Sequence, residues 1–278
     1  MKIGVSAFAW TGRLDRSHLA LLPRIKDMGI EGFEVPLFDP ATLAVEEIRS
    51  ALEANQLECT VCAILPGGIN PISPDRAVRR RSVEHLVRCV ETAAALGSRI
   101  LAGPLYAPIG YLPEHRPNAE EWSWAVEALQ KLGDSLEANQ VTLAIEPVNR
   151  SETFFLRTAK EAKSLCEAVG LPRIGVTIDT FHANIEEKNI AEAILTLGPL
   201  LRHLHASENN RGLLGKGHVD FPAVVAALDQ IGYRGYLMIE GFGYSPAEKE
   251  GPGALWAELD VTPEEIALEG AQYLRRLL

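Results

Sequence analysis

No apolar run in this sequence approaches the roughly 20 residues that a membrane-spanning helix needs. The N-terminus carries no secretion signal either, because "MKIGVSAFAW" gives way to the polar "TGRLDRSH" before an apolar stretch can build. The expectation is a cytoplasmic protein with no membrane partner. Cysteine is scarce: Cys59, Cys62, Cys89 and Cys166 are the only four, and they are scattered. That excludes a disulfide-stapled fold and fits a reduced protein. Cys59 and Cys62 form a C-x-x-C, but "LECTVCAI" has the composition of a strand, where residues three apart point to opposite faces. The two sulfurs diverge, which removes the geometry that a redox or zinc reading requires. Positive charge is also in deficit. A net charge of -10 argues against a nucleic-acid partner, whose phosphates would be repelled. The densest basic stretch, "RAVRRRSVEHLVR" from Arg76, falls on helical spacing and reads as a solvated helix face or a subunit contact. A dinucleotide-binding glycine turn is missing as well, since the first strand runs into "SAFAWTGRLDRS" with no G-x-G-x-x-G.

What the sequence does contain is apolar material and rhythm. Of its 278 residues 47% are hydrophobic, enough for a large core. Short apolar runs alternate with longer amphipathic stretches: "KIGVSAF", "GFEVPL", "ECTVCAIL", "RILAGPLY", "VTLAIEP", "RIGVTIDT", "LRHLHAS" and "GYLMIEGF" read as strands. Between them, "SHLALLPRIKDMG", "VEEIRSALEANQ", "AVEALQKLGDSLEANQ" and "AKEAKSLCEAVG" read as helices, and several close on glycine or asparagine. The last, "TPEEIALEGAQYLRRLL", opens on threonine, proline and two acids, a strong start signal. Eight strands each followed by a helix predict a single (β/α)8 TIM barrel occupying residues 1–278 as one domain. No linker, low-complexity tract or compositional shift divides it. "GFGYSPAEKEGPGALWAELDVTPEE" is too long for an ordinary connection and reads as a lid or a subunit contact.

In such a barrel the C-terminal strand ends meet at one mouth, where catalysis takes place. The last four strands end on Glu146, Asp179, His205 and Glu240, separated by 33, 26 and 35 residues, about one strand-helix unit each. A single acid at a strand end usually caps a helix or pairs with a cation. Four successive polar ends are a different matter, because three carboxylates in one mouth repel unless a cation balances them. The set is hard and oxygen-rich, suited to Mn²⁺, Mg²⁺ or Co²⁺ more than to a structural zinc. His203 lies two residues before His205 and faces the same way but deeper, so it reads as a support for the site rather than a ligand. His18, His85, His115 and His218 fall on helices or loops and read as structural. A metal flanked by spare carboxylate oxygens suits proton abstraction beside a carbonyl. Glu146 and Glu240, from non-adjacent strands, would approach a substrate carbon from opposite sides and invert it.

The segments "IEPVNRSETFF", "DTFHANIEE", "HLHASENNRGLLGKGHVDF" and "MIEGF" resemble those of the ketose 3-epimerases, the D-tagatose and D-psicose (allulose) 3-epimerase group of the xylose-isomerase-like barrels. The likeness covers most of the second half of the chain; the first half agrees in rhythm more than in motif. It implies one divalent ion per subunit, usually Mn²⁺ or Co²⁺ with Mg²⁺ as a further option, bound by Glu146, Asp179, His205 and Glu240. It also implies that Glu146 and Glu240 are the acid-base pair and that Glu152, His182 and Arg211 hold the substrate. Phe8 and Trp10 stand where the family places pocket aromatics. The third and fourth strand ends, "ILPGGIN" and "GPLYAPIGYLP", offer apolar walls without charge, which discriminate weakly among ketoses. The expected reaction is C3 epimerisation of free ketoses (D-psicose and D-fructose, D-tagatose or a ribulose-type sugar) through a cis-enediolate. Family members are generally homodimers or homotetramers.

Three rival readings separate on sequence features. An inosose dehydratase or hydroxypyruvate isomerase would share the metal quartet, and "NRSETFF" with "SENNRG" favours the epimerases over them. An endonuclease of abasic DNA needs a metal cluster with histidines from earlier strand ends, where this chain has "AILPGG" and "AGPLYA". A non-catalytic sugar-binding protein would have no use for two metal-flanking glutamates. "GLLGKGH" resembles a phosphate cradle but lacks the hydroxyl residue after its lysine.

Overall fold

The computed structural model describes residues 1–242 and 260–278. Eight strands form its centre: β1 (Lys2–Ser6), β2 (Gly32–Leu37), β3 (Glu58–Ala63), β4 (Ile100–Gly103), β5 (Thr142–Ile145), β6 (Ile174–Asp179), β7 (Leu201–Ala206) and β8 (Tyr236–Ile239). Each pairs in parallel with the next, and β8 pairs with β1, so the sheet closes on itself in sequence order. The sequence-predicted (β/α)8 TIM barrel is the fold observed, and all eight expected strands are present.

The outer layer follows from capping and amphipathic spacing. Its helices are α1 (Leu21–Asp27), α2 (Val45–Ala54), α3 (Arg76–Ala95), α4 (Ala119–Gln130), α5 (Gly133–Asn139), α6 (Ala159–Val169), α7 (Thr180–Glu186), α8 (Ile190–Leu197), α9 (Phe221–Gln230) and α10 (Pro263–Leu277). Asn118, Thr158 and Thr262 begin α4, α6 and α10 with reciprocal caps to Glu121, Glu161 and Glu265, which satisfies backbone donors that would otherwise be orphaned. On α3, Arg76, Arg80, Arg81 and Arg88 are exposed while Leu86, Cys89 and Val90 are buried, so the basic run is an exposed helix face. One expectation needs correcting. The stretch 125–140 is two helices, α4 and α5, with the chain breaking at Lys131 and Leu132 just before Gly133, a poor helix former. The long segment expected to be a lid or subunit contact lies mostly outside the described residues, which omit 243–259. Among the described residues no helix is long and apolar enough to cross a membrane.

Alternation along the strands sorts two environments. Val5, Phe33, Val35, Val61, Leu143, Ile145, Val176, Ile178 and Leu204 are buried members of the hydrophobic core. The alternate positions include Ser6, Glu34, Thr60, Thr177, His203 and His205, all buried and all polar. Glu34 on β2 meets His203 on β7, strands that are not neighbours in the sheet, so that contact crosses the barrel interior. The apolar face therefore packs on the helices, while the lumen sets these polar residues among Cys62, Ala102, Ala144 and Met238 at the same alternate positions, whereas barrels of this kind usually fill it with branched apolar side chains. These polar residues are built into the lumen by the strands themselves, before any loop is added.

Candidate active site

The four predicted strand ends converge at one mouth. Glu146 follows β5, and its N–H donates to Gly103 O at 3.0 Å. Gly103 ends β4 with φ +130°, and a Cβ there would lie 2.1 Å from Ala63 O, so this close passage requires glycine. Glu240 follows β8 and is tied in the same way to Ala206 O at 3.0 Å. Asp179 ends β6 directly opposite His205 on β7. Its Oδ1 caps α7 by accepting from Phe181 N at 2.8 Å, which leaves Oδ2 for the mouth. The helix cap thus occupies one oxygen of the carboxylate, and the other is turned to the mouth.

His205 Nδ1 lies 3.5 Å from Glu146 Oε1 and 3.7 Å from Glu240 Oε1. It is fully buried and has no hydrogen-bond partner. Arg211 Nη1 lies 2.7 Å from both Asp179 Oδ2 and Glu240 Oε2. Among the described residues, two groups of possible metal ligands have atoms within 4.8 Å of one another: Glu146, Asp179 and His182, and Glu34, Cys62, His205 and Glu240. The predicted quartet is divided two and two between these groups, joined by the His205–Glu146 contact and by Arg211. An unpartnered imidazole nitrogen facing two carboxylate oxygens, with a third carboxylate beside them, fits a hard divalent cation.

Electrostatics divide the histidines. Burial pushes His182 down to about 3, with Asp179 opposing, so its ring is neutral. Its Nδ1 accepts from Asn149 N at 3.2 Å, which leaves the ring proton on Nε2. Burial lowers His205 too, but Glu34, Glu240 and Glu146 outweigh it and raise this imidazole well above its usual range. For Asp179, burial outweighs the attraction of Arg211 and His182, and the carboxyl is raised. Burial also raises Glu152 and the Cys62 thiol, the latter with help from the surrounding carboxylates.

The residues expected to hold substrate fall around a cavity of about 160 Å³, and Glu146, Glu152, His182, Arg211 and Glu240 all line it. Asn149 Nδ2 donates to Glu152 Oε1 at 2.7 Å and so links Glu152 to the His182 side of the site. The Arg211 guanidinium lies over the rings of both Phe181 and Phe242, 4.0 and 4.5 Å from their centres. Phe8 lines the wall and packs against Phe242, their ring centres 5.4 Å apart and the rings tilted by 39°. Trp10 is not among the residues lining the cavity; its Nε1 donates to Glu264 Oε1 at 3.2 Å at the start of α10. Phe8 is the middle residue of a short 3-10 turn, Ala7–Ala9, and Trp10 caps its end, so the turn points the two aromatics to different places. Ile64, Pro104 and Ile109 supply the uncharged wall expected from the third and fourth strand ends.

Sequence reasoning passed over two buried acids. Glu34 was visible as the one charge in "GFEVPL", a strand whose six residues are all buried. Glu208 organises the loop that carries Arg211: its carboxylate accepts from Gly215 N at 2.9 Å, Asn209 N at 3.2 Å and Val219 N at 3.3 Å. A Cβ at Gly217 would lie 2.2 Å from Glu208 Oε2, so glycine lets the loop close over the acid. Arg211 itself has φ +60°, an unusual backbone for a non-glycine residue, held by its N–H to Glu208 O at 3.0 Å.

Comparison with known proteins agrees with this fold. The family model of the xylose isomerase-like TIM barrel matches residues 22–277. A ketose 3-epimerase from Arthrobacter globiformis is 31% identical over 99% of this chain and 96% of its own. An L-ribulose 3-epimerase from Mesorhizobium japonicum is 34% identical over 87% of this chain and 81% of its own. The crystal structure of a D-allulose 3-epimerase from Methylomonas sp. in complex with D-allulose superposes with a TM-score of 0.93 at 28% identity, covering 100% of this chain and 97% of that one. The chain belongs to the xylose isomerase-like TIM barrel family and, within it, to the group of the ketose 3-epimerases.

Proposed function

We propose that this chain is a metal-dependent isomerase that inverts C3 of free ketoses, with Glu146 and Glu240 as the proton-transfer pair. The observation that carries the reading is their placement about His205: both approach Nδ1, at 3.5 and 3.7 Å, from strands separated by β6 and β7, and both line one cavity. Glu146, Asp179, His205 and Glu240 would hold one divalent ion, Mn²⁺ or Co²⁺ with Mg²⁺ as a further option. When bound, that ion supplies positive charge to the carbonyl and hydroxyl oxygens of the reacting centre.

One glutamate removes the C3 proton, leaving a cis-enediolate, and the other delivers a proton to the opposite face. Glu152 and the neutral His182 hold hydroxyls beside the reacting carbons; with its proton on Nε2, His182 donates a hydrogen bond without adding charge. Arg211 keeps the Glu240 carboxylate in place through its 2.7 Å hydrogen bond. At the far end the sugar meets Phe8, Ile64 and Ile109, apolar walls that tell one ketose from another only weakly. D-psicose, D-fructose, D-tagatose and ribulose-type sugars are therefore all within range, in keeping with relatives that act on L-ribulose and D-psicose.

The test is incubation with a ketose in heavy water. Deuterium at C3 together with the C3 epimer is the expected outcome. Label confined to C1 would indicate aldose–ketose isomerisation instead, and loss of water from the sugar a dehydratase.

A further inference from the structure

Glu34 is a fully buried carboxylate on β2 that the reaction scheme above leaves unused. Its two oxygens have different company. Oε2 accepts from Thr60 Oγ1 at 3.1 Å and pairs with His203 Nε2 at 2.9 Å. Oε1 has no aligned hydrogen bond, and the nitrogen it faces is His205 Nε2 at 3.1 Å. Thr60 is the register partner of Glu34 on the neighbouring strand, while the two histidines reach it from β7 across the lumen. The carboxylate is therefore pinned at one oxygen and turned toward His205 with the other.

His205 is thus held along both edges of its ring. Nε2 faces Glu34, and Nδ1 faces Glu146 and Glu240. An imidazole that binds a cation must be in its neutral form, with one proton and one lone pair, and the nitrogen that keeps the proton cannot bind the cation. An anion opposite Nε2 keeps the proton there, directs the lone pair of Nδ1 toward the other carboxylates and makes that nitrogen a better donor. We propose that Glu34 is the positioning residue of the metal centre, fixing His205 by its Nε2–H so that Nδ1 is presented to the cation. This rests on the reading of Glu146, Asp179, His205 and Glu240 as a metal site. Glu34 is not itself a ligand there, since the ring of His205 stands between it and the Nδ1 edge. The competing arrangement would use Nε2, with Glu34, Cys62 and Glu240 as the remaining donors of the deeper group.

The experiment is a Mn²⁺ titration of metal-stripped protein followed by electron paramagnetic resonance. Wild type and Glu34→Gln are compared, with the thermal midpoint of each metal-free protein recorded alongside. Glu34→Gln is expected to weaken Mn²⁺ binding about 10- to 100-fold, because the charge opposite Nε2 is lost while the side chain keeps its shape. Thr60→Val leaves Glu34 in place but removes one of the donors that pin it, and is expected to cost about two- to tenfold. It carries the test if Glu34→Gln fails to fold. Affinities within threefold of wild type in the folded variants would overturn the proposal while leaving the metal site standing. Wild type that binds no Mn²⁺ would overturn both. Loading with Co²⁺ settles the competing arrangement: a sulfur-to-cobalt charge-transfer band that disappears in Cys62→Ser would make the deeper group the site and remove the positioning role of Glu34, and its absence supports that role.

Discussion

Arg211 Nη1 donates to Glu240 Oε2 at 2.7 Å, and the same nitrogen donates to Ser207 Oγ at 2.9 Å and lies 2.7 Å from Asp179 Oδ2. One nitrogen thus sets the spacing of two carboxylates, and the planar guanidinium that carries it packs on the rings of Phe181 and Phe242. Lysine would keep the charge and lose the plane. Arg211→Lys is expected to fold normally by circular dichroism and to lose about 10- to 150-fold in kcat/KM, the equivalent of about 1.5–3 kcal/mol for a charged hydrogen bond. Unchanged steady-state kinetics would show that Glu240 needs no such clamp.

Under the proposed scheme Glu146 and Glu240 serve opposite faces of the sugar, so removing either should separate two events that would otherwise occur together. Glu240→Gln is expected to lower net epimerisation about 10²- to 10⁴-fold. The intact Glu146 should still exchange the C3 hydrogen of one epimer with heavy water, without inversion. Glu146→Gln should show the mirror-image preference. Mass spectrometry of recovered sugar distinguishes exchange from conversion. If both variants exchange the same epimer, the two-face assignment is wrong.

Chelation should abolish activity, and Mn²⁺ or Co²⁺ should restore it. The unpartnered His205 Nδ1 between two carboxylates also predicts a stability effect. An ion that binds only the folded chain adds about 2.7 kcal/mol at a hundredfold excess over its dissociation constant. The urea midpoint of the metal-stripped protein should rise on adding Mn²⁺, and identical curves with and without it would remove the ion from the site.

The barrel was legible because its strands are runs of buried residues bounded by turn signals, and because periodicity is a local property. The meeting of Glu146, Asp179, His205 and Glu240 at the mouth was legible for a related reason: each stands at a strand end, and closure brings strand ends together whatever the loops do. Glu34 was not, since its meaning depends on His203, which lies 169 residues away and across the lumen. Nothing near "GFEVPL" indicates which face of that strand looks inward. Glu208 was hidden because it binds loop backbone, whose path has no period to read. The division of 125–140 into two helices depends on a break before Gly133 that an amphipathic pattern runs straight through. Trp10 shows the same limit at the scale of one turn: the chain coils into a 3-10 turn at Ala7–Ala9, and Phe8 within it lines the cavity while Trp10 at its end bonds to Glu264.

Glu208 links the stability of a loop to catalysis. Its carboxylate is fully buried and accepts from three backbone N–H groups of the segment that carries Arg211. Glu208→Ala would leave those donors without partners in a dry site, at a cost of about 1–3 kcal/mol for each that water cannot reach. The expected outcome is a lower urea midpoint together with a fall in kcat/KM as Arg211 loses its left-handed backbone. A variant destabilised but fully active would separate the loop from the site.

His85 offers a pH test away from the active site. It is buried on α3, and burial, aided by Arg88 and opposed by Asp39, holds its pKa below the ordinary 6.5. Between that folded value and 6.5 the unfolded chain binds more protons than the native one, so stability rises with pH through the window and is lost as the solution is acidified. His182 and His203 are also lowered and act in the same direction, so the wild-type curve alone cannot identify one residue. His85→Leu removes one proton-binding group from the unfolded chain and leaves the others. Its stability should therefore fall less than that of wild type between about pH 7.5 and about pH 5.5, as measured by urea denaturation at each pH. Parallel curves would mean that His85 takes up its proton in the folded protein as readily as in the unfolded one, and that its burial between α3 and the barrel imposes no penalty on the charged ring.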